Sequence, residues 1–212
     1  MAKIKGFQDT IEWYESNAKK YAQAIADIAS LDLIDRFVQS VDQGGKVLDA
    51  GCAAGRDCKL LADRGLRVVG IDLSKNLLAI AKGKYPEIEF VEGNFLNLPF
   101  ADQSFNGIWA HASLLHLETI EAVEKALTEF NRVLKPRGLL LVAVKKQMAK
   151  EKTSVVSDKI SGHERFFRWF TLPELKTLLT EAGFTIMTLT EKEDQAGRGE
   201  VTWLMALARK AH

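Results

Sequence analysis

The residues of this chain best suited to chemistry gather in one segment, Val47-Leu48-Asp49-Ala50-Gly51-Cys52-Ala53-Ala54-Gly55-Arg56-Asp57. A buried strand here runs into small residues and then a helix, so the backbone can pass close to a ligand at the strand's C-terminal end. Gly51 and Gly55 supply the conformational freedom and the lack of side-chain bulk that such an approach requires. Downstream, Val68-Val69-Gly70-Ile71-Asp72 ends a second strand in a carboxylate. Asp72 lies 21 residues after Gly51, close to the roughly 20 expected of an acid that grips a ribose diol. An ionised carboxylate accepts both hydroxyl protons in charge-assisted hydrogen bonds. A glycine turn alone is often only a turn; followed by an acid at this spacing, it indicates a nucleoside site.

A dinucleotide would need G-x-G-x-x-G, so that a pyrophosphate rests on the helix N-terminus. The order here is Asp49-x-Gly51-x-Ala53-x-Gly55. Asp49 would repel a pyrophosphate but suits a ligand carrying an ammonium group, which favours S-adenosylmethionine over NAD.

The elements that must position this site follow from periodicity. Apolar residues at Phe7, Ile11, Tyr14, Ala18, Tyr21, Ile25 and Ile28 predict an amphipathic helix over 7–29, and a short one follows over 31–41. Strands are expected at 46–49, 67–71, 88–91, 105–110 and 139–144, with helices between them. Ser74 caps one helix, and Lys135-Pro136-Arg137-Gly138 stops another. Strand and helix alternating in this way imply parallel βαβ units in a doubly wound α/β sheet. Residues 145–162 read as polar, Lys-rich and aperiodic. Thr171-Leu172-Pro173-Glu174 opens a last helix, which ends at Gly183. Strands at 184–190 and 201–208, joined through Gln195 to Gly199, should form an antiparallel hairpin.

Composition bounds the class. The 212 residues, 47% hydrophobic, with 29 basic and 28 acidic side chains, are those of a globular protein that removes roughly 70% of its unfolded surface from water. A single domain is expected: N-terminal cap helices over 1–43, a cofactor-binding core over 46–144, a substrate-side insertion over 145–170 and a closing helix and hairpin over 171–212. The longest apolar run, Leu139 to Val144, is far short of the roughly 20 residues of a membrane span. The opening residues, Met1 to Asp9, lack the apolar core of a secretory signal. The two cysteines, Cys52 and Cys58, are too few for a disulfide scaffold and lack zinc-site spacing, so a reducing, cytoplasmic setting and no metal are expected.

Taken together, the motifs resemble those of the class I S-adenosylmethionine-dependent methyltransferases of the small bacterial type, over nearly the whole chain. They are Val47 to Asp57, Val69 to Ser74, Gly93 to Asn106, and the approach Arg132 to Gly138. The resemblance implies a Rossmann-like seven-stranded sheet ordered 3-2-1-4-5-7-6, its last strand antiparallel, with S-adenosylmethionine as cofactor. It also implies that Gly51, Cys52, Ala53 and Gly55 wall the methionine part and that Asp72 holds the ribose. Leu73 and Phe95 would sandwich the adenine, with Asn94 at its amino group. Ala110 would lie at the cofactor's edge. Two departures stand out: Ala53 replaces a frequent glycine, and Asn94 replaces the usual Asp, though its side-chain oxygen still accepts. Arg56 is a candidate for the cofactor carboxylate or for a surface salt bridge. Tyr14 and Tyr21 would close the first helix over the cofactor or simply pack.

Methyl transfer needs orientation and a dry pocket more than it needs a triad. His111 leaves strand four nearest the methyl group, as a base or orienting residue. His116, five residues on, reads as a structural histidine bonded in the following turn, and the pair lacks metal-site spacing. From Lys135 to Phe170 the net charge is +6. That segment is a solvated loop, a pocket where Arg165 or Arg168 clamps an anionic small acceptor, or a nucleic-acid surface. Near-neutral total charge disfavours the last, and with it an RNA- or tRNA-modifying enzyme. An NAD-dependent oxidoreductase and a non-catalytic S-adenosylmethionine-binding protein are the remaining rivals.

Overall fold

The computed structural model describes residues 6–158, 163–194 and 201–211. Its centre is a seven-stranded sheet ordered β3-β2-β1-β4-β5-β9-β8. The strands are β1 (Lys46–Ala50), β2 (Arg67–Asp72), β3 (Glu89–Glu92), β4 (Phe105–His111), β5 (Leu134–Lys145), β8 (Phe184–Glu193) and β9 (Thr202–Lys210). β1 to β5 pair parallel, and β9 runs antiparallel to both β5 and β8. Counting the strands of this sheet alone, the order is the expected 3-2-1-4-5-7-6. The link proposed through Gln195 to Gly199 lies outside the described residues.

Alternate residues of each central strand feed opposite sides, as a pleated strand covered on both faces requires. Leu48, Ile108 and Leu140 join the core shared with α6 (Ile120–Val133) and α7 (Leu172–Glu181). Val47, Trp109 and Leu141 join the core under α3 (Leu31–Ser40), α4 (Arg56–Ala62) and α5 (Lys75–Lys84). Thr171 caps α7 by accepting from Glu174 N, and Ser74 caps α5 by accepting from Leu77 N.

Two sequence expectations are corrected. The single helix over 7–29 is two, α1 (Phe7–Ser16) and α2 (Ala18–Ala24). The break falls at Asn17, whose backbone leaves helical geometry at φ −118°, ψ 20° and whose Nδ2 donates to Trp13 O at 3.0 Å. Residues 145–162 are not simply irregular. β6 (Thr153–Asp158) pairs antiparallel with β7 (His163–Arg168) in a separate two-stranded ribbon. Phe170 N donates to Lys145 O, and Gln147 N to Phe170 O, fastening the ribbon's base to the end of β5. The ribbon therefore folds over the C-terminal edge of the sheet.

Candidate active site at the C-terminal edge of the sheet

The turn from β1 to α4 is built by backbone. Gly51 N and Cys52 N both donate to Ile71 O, at 2.9 and 3.0 Å, tying the turn to β2. Gly51 has φ +86°, and a Cβ there would stand 2.6 Å from Ser113 Cβ, so only glycine fits. Ala53 (φ +48°) and Ala112 (φ +60°) hold left-handed conformations on the two loops that meet at this contact. Strained non-glycine backbone of this kind gathers at ligand sites.

Asp72 joins the β1–α4 turn to the turn between β2 and α5. Its Oδ2 accepts from Ala53 N at 2.8 Å and its Oδ1 from Ser74 N at 2.9 Å. Burial pushes this carboxyl up, against the lowering effect of those N–H groups. Each oxygen keeps a second lone-pair direction for a ligand hydroxyl.

A buried acidic cluster lies beneath the turn. Asp49, 3% exposed, accepts from Cys58 Sγ at 3.1 Å. Burial, then the charge of Asp57, pushes its carboxyl up to about 8. Asp57 behaves oppositely: burial would raise it, but the Arg56 guanidinium holds it below the ordinary carboxylate range. Arg56 Nε donates to Asp57 Oδ1 at 2.7 Å and Nη1 to Ile25 O at 3.0 Å. The salt-bridge reading of Arg56 thus holds, though its partner is a buried neighbour and not a surface group. Trp109 Nε1 donates to Asp57 Oδ2 at 3.1 Å. His111 stacks between Trp109 and Trp203, ring centroids 5.7 and 5.6 Å away, with Nδ1 3.9 Å from Asp57 Oδ2.

On the opposite wall, Tyr14 of α1 joins three elements. His116 Nδ1–H donates to Phe166 O at 3.0 Å, which leaves Nε2 to accept from Tyr14 O–H at 3.1 Å. Arg165 Nη1 donates to the same phenol oxygen. Burial, reinforced by the Arg165 charge, pushes His116 down to about 3, so it is neutral. His116 lines the cavity and is hydrogen-bonded to β7 and α1, not in the following turn as expected. Thr10 accepts from Phe166 N at 3.1 Å, and Glu15 accepts from Ser74 Oγ at 2.6 Å and Asn76 N at 3.1 Å. Helix α1 is thereby pinned to β7 and to α5.

These walls enclose one cavity of about 1210 Å³ including its mouth. The structure brings Tyr14, Tyr21, Asp49, Gly51, Cys52, Ala53, Arg56, Asp72, Leu73, Phe95, His111 and Arg165 to its lining. Four expected site residues stand elsewhere. Gly55 faces Phe90, where a Cβ would meet Cζ at 2.8 Å. Asn94 turns inward, its Oδ1 accepting from Leu96 N at 2.8 Å. Ala110 is wholly buried in β4. Arg168 is tied to Glu174 Oε1 at 3.2 Å and reaches toward Glu118 O at 3.4 Å, so it braces α7 and stands off the cavity lining. Sequence reasoning missed Asp57, Ser113, Lys145, Phe167 and Trp203. The Arg56-Asp57 pair was a readable signal for the first; the others reach the cavity through contacts distant in sequence.

Residues 48–142 match the family model described as a methyltransferase domain. The chain is 35% identical over 136 residues to a demethylmenaquinone methyltransferase of Paenarthrobacter aurescens, covering 61% of this chain and 52% of that one. It spans about half the length of the curated relatives it matches first. Among solved structures, a SAM-dependent methyltransferase from Methanosarcina mazei superposes with TM-score 0.73 at 24% identity, over 82% of this chain and 95% of the other. The Burkholderia thailandensis 1,6-didemethyltoxoflavin-N1-methyltransferase, solved with 1,6-didemethyltoxoflavin and S-adenosylhomocysteine, gives TM-score 0.75 at 21% identity, over 100% and 93%. A doubly wound sheet with a glycine turn, a bridging carboxylate and a covered C-terminal edge is an arrangement in which ligands bind in the crevice outside the strands' C-terminal ends. Within the chain, residues 48–142 are similar to a methyltransferase domain, and the solved methyltransferases share its fold.

Proposed function

We propose that this protein transfers a methyl group from S-adenosylmethionine to a small-molecule acceptor. The observation that carries the reading is the single cavity running from the Gly51 turn and Asp72 to His111, Ser113 and the underside of β7. The residues fit the cofactor. Gly51 leaves a cradle that a Cβ would fill, Asp72 has lone pairs to spare, and Ser113 Oγ is buried with no hydrogen-bond partner among the described residues.

When bound, S-adenosylmethionine supplies a methyl carbon activated by a sulfonium. The chain's own residues do the rest. Asp72 accepts the ribose hydroxyls; Leu73 and Phe95 flank the adenine; Gly51, Cys52 and Ala53 wall the methionine part. Asp49, as its carboxylate, faces the ammonium group. Tyr14 and Tyr21 close α1 and α2 over the site and exclude water. His111, held between two indoles, orients the acceptor. No helix among the described residues is long and apolar enough to cross a membrane. Cys52 and Cys58 are free thiols, which suits a reducing, cytoplasmic setting. The curated relative acts, by its name, on demethylmenaquinone, and a small acceptor of similar scale suits this cavity.

Calorimetry with S-adenosylhomocysteine and with NAD tests the reading. We expect saturable binding of the first and none of the second; the reverse would make the protein an oxidoreductase. Release of S-adenosylhomocysteine in an acceptor screen separates an enzyme from a silent binder.

A further inference from the structure

The strand ends give the cofactor end of the cavity a ruler. In the order β3-β2-β1-β4, Phe95 follows β3, Asp72 ends β2, Gly51 follows β1 and Ser113 follows β4, and all four line the cavity. Neighbouring strands lie about 4.8 Å apart, so the ends of β2 and β4, on either side of β1, are separated by roughly 10 Å. An adenosine laid with its base at Phe95 and its ribose at Asp72 extends its 5′ substituent past Gly51 toward Ser113. The methionine tail therefore ends at the head of β4.

Gly51 is what lets Ser113 in. A Cβ on Gly51 would stand 2.6 Å from Ser113 Cβ and 3.5 Å from its Oγ, so the space that glycine leaves is taken by the serine. Ala112, immediately before it, holds φ +60°, a left-handed conformation that is unfavourable for any residue with a Cβ. The chain is thus bent, against its own preference, to bring a hydroxyl to this point. Yet Ser113 is 6% exposed, and its Oγ is buried with no hydrogen-bond partner among the described residues. A buried hydroxyl left unpaired is destabilising, and rotation about its single χ angle can turn it to a ligand in the cavity. Arg56, whose chemistry best suits a carboxylate, is engaged elsewhere: its Nε donates to Asp57 Oδ1 and its Nη1 to Ile25 O. Asp49 matches the ammonium group by charge. The carboxylate of the tail still calls for a donor, and the Ser113 hydroxyl is one.

We propose that Ser113 is a specificity-determining residue, its hydroxyl donating a hydrogen bond to the carboxylate of the methionine tail. This rests on the methyl-transfer reading above and names the group that a further residue reads in the same site. A hydrogen bond to an ionised acceptor is stronger than one between neutral groups, and a buried one gains further from the low local dielectric. Ser113 therefore separates ligands that carry the carboxylate from those that share the nucleoside but lack it.

Calorimetry with two ligands tests the assignment: S-adenosylhomocysteine, and its decarboxylated analogue, which keeps the adenosine, the sulfur and the ammonium group. Wild type should favour S-adenosylhomocysteine. Ser113→Ala, which keeps the Cβ against Gly51, should weaken S-adenosylhomocysteine about tenfold or more and change the analogue less than about twofold, the scale of one hydrogen bond to a charged group. Asp72→Ala, acting on the ribose, should weaken both ligands alike. Equal losses for the two ligands in Ser113→Ala would make Ser113 a merely structural residue and overturn the inference. Unchanged affinity of that variant for S-adenosylhomocysteine overturns it too, as does a wild type that fails to favour S-adenosylhomocysteine over the analogue. A wild type that binds neither ligand would instead defeat the methyl-transfer reading itself.

Discussion

The two ends of the cavity are made in different ways. The end proposed for the cofactor is backbone: a turn with Gly51 at φ +86°, two N–H groups on Ile71 O, and Asp72 joining that turn to the one before α5. All of it comes from residues 49–74, neighbours along one βαβ unit. The other end, proposed for the acceptor, is side chain: Tyr14, His116, Lys145, Arg165 and Phe167 arrive from α1, the turn after β4, β5 and β7. Backbone geometry is fixed by local sequence, so one family can share the first end. Side chains from distant elements can be exchanged without disturbing the sheet, so the second end can change while the first is kept.

Four measurements would sharpen or break this contrast. Gly51→Ala should do the most harm. It forces a Cβ into a left-handed conformation, at about 1–2 kcal/mol, and drives it against Ser113, for a total of about 3 kcal/mol or more in stability or S-adenosylhomocysteine binding. Ser113→Gly in the same chain should restore part of the loss; no restoration would show that the contact is not what excludes a side chain. Next, Asp72→Ala should weaken S-adenosylhomocysteine by about 1.5–3 kcal/mol, the scale of hydrogen bonds to a charged group. An unchanged dissociation constant would remove the carboxylate from the site.

Tyr14→Phe takes a hydroxyl from both Arg165 and His116 and should cost about 1–2 kcal/mol of thermal stability. The same change should loosen acceptor binding more than S-adenosylhomocysteine binding. Equal loss in both would erase the distinction between the two ends. The smallest effect concerns protons. Asp49, with its carboxyl at about 8 in the folded protein, is mostly protonated at neutral pH. A ligand ammonium should draw it into the charged form, so calorimetry near pH 7 in buffers of different ionisation heat should show release of part of one proton. Asp49→Asn should abolish that release. The sign for folding is opposite to that of a salt-bridged acid. Because the folded pKa is raised, Asp49 favours the native state at low pH and loses that contribution as pH rises from about 4 to about 8. Asp49→Asn should flatten stability over that window.

The contrast also explains what could be read from the chain alone. Strands β1 to β5, the glycine turn and Asp72 were legible because alternation and local spacing determine them. The β6–β7 ribbon was not: Thr153 to Asp158 is short and polar, and it pairs because Phe166 and Phe167 are buried against the rest of the fold. Arg165 and Arg168 look alike in sequence, three residues apart. Only packing separates them, one entering the cavity and the other turning to Glu174. Asn94 is separated from the cavity lining in the same way, its oxygen accepting from Leu96 N in its own turn.

Helix α1 touches both ends at once, through Glu15 on Ser74 and Asn76 and through Thr10 and Tyr14 on β7 and its neighbours. The two chambers therefore share one door. On the proposed reading one helix covers both ligands, so a variant that loosens its contacts should change the release rates of the two together.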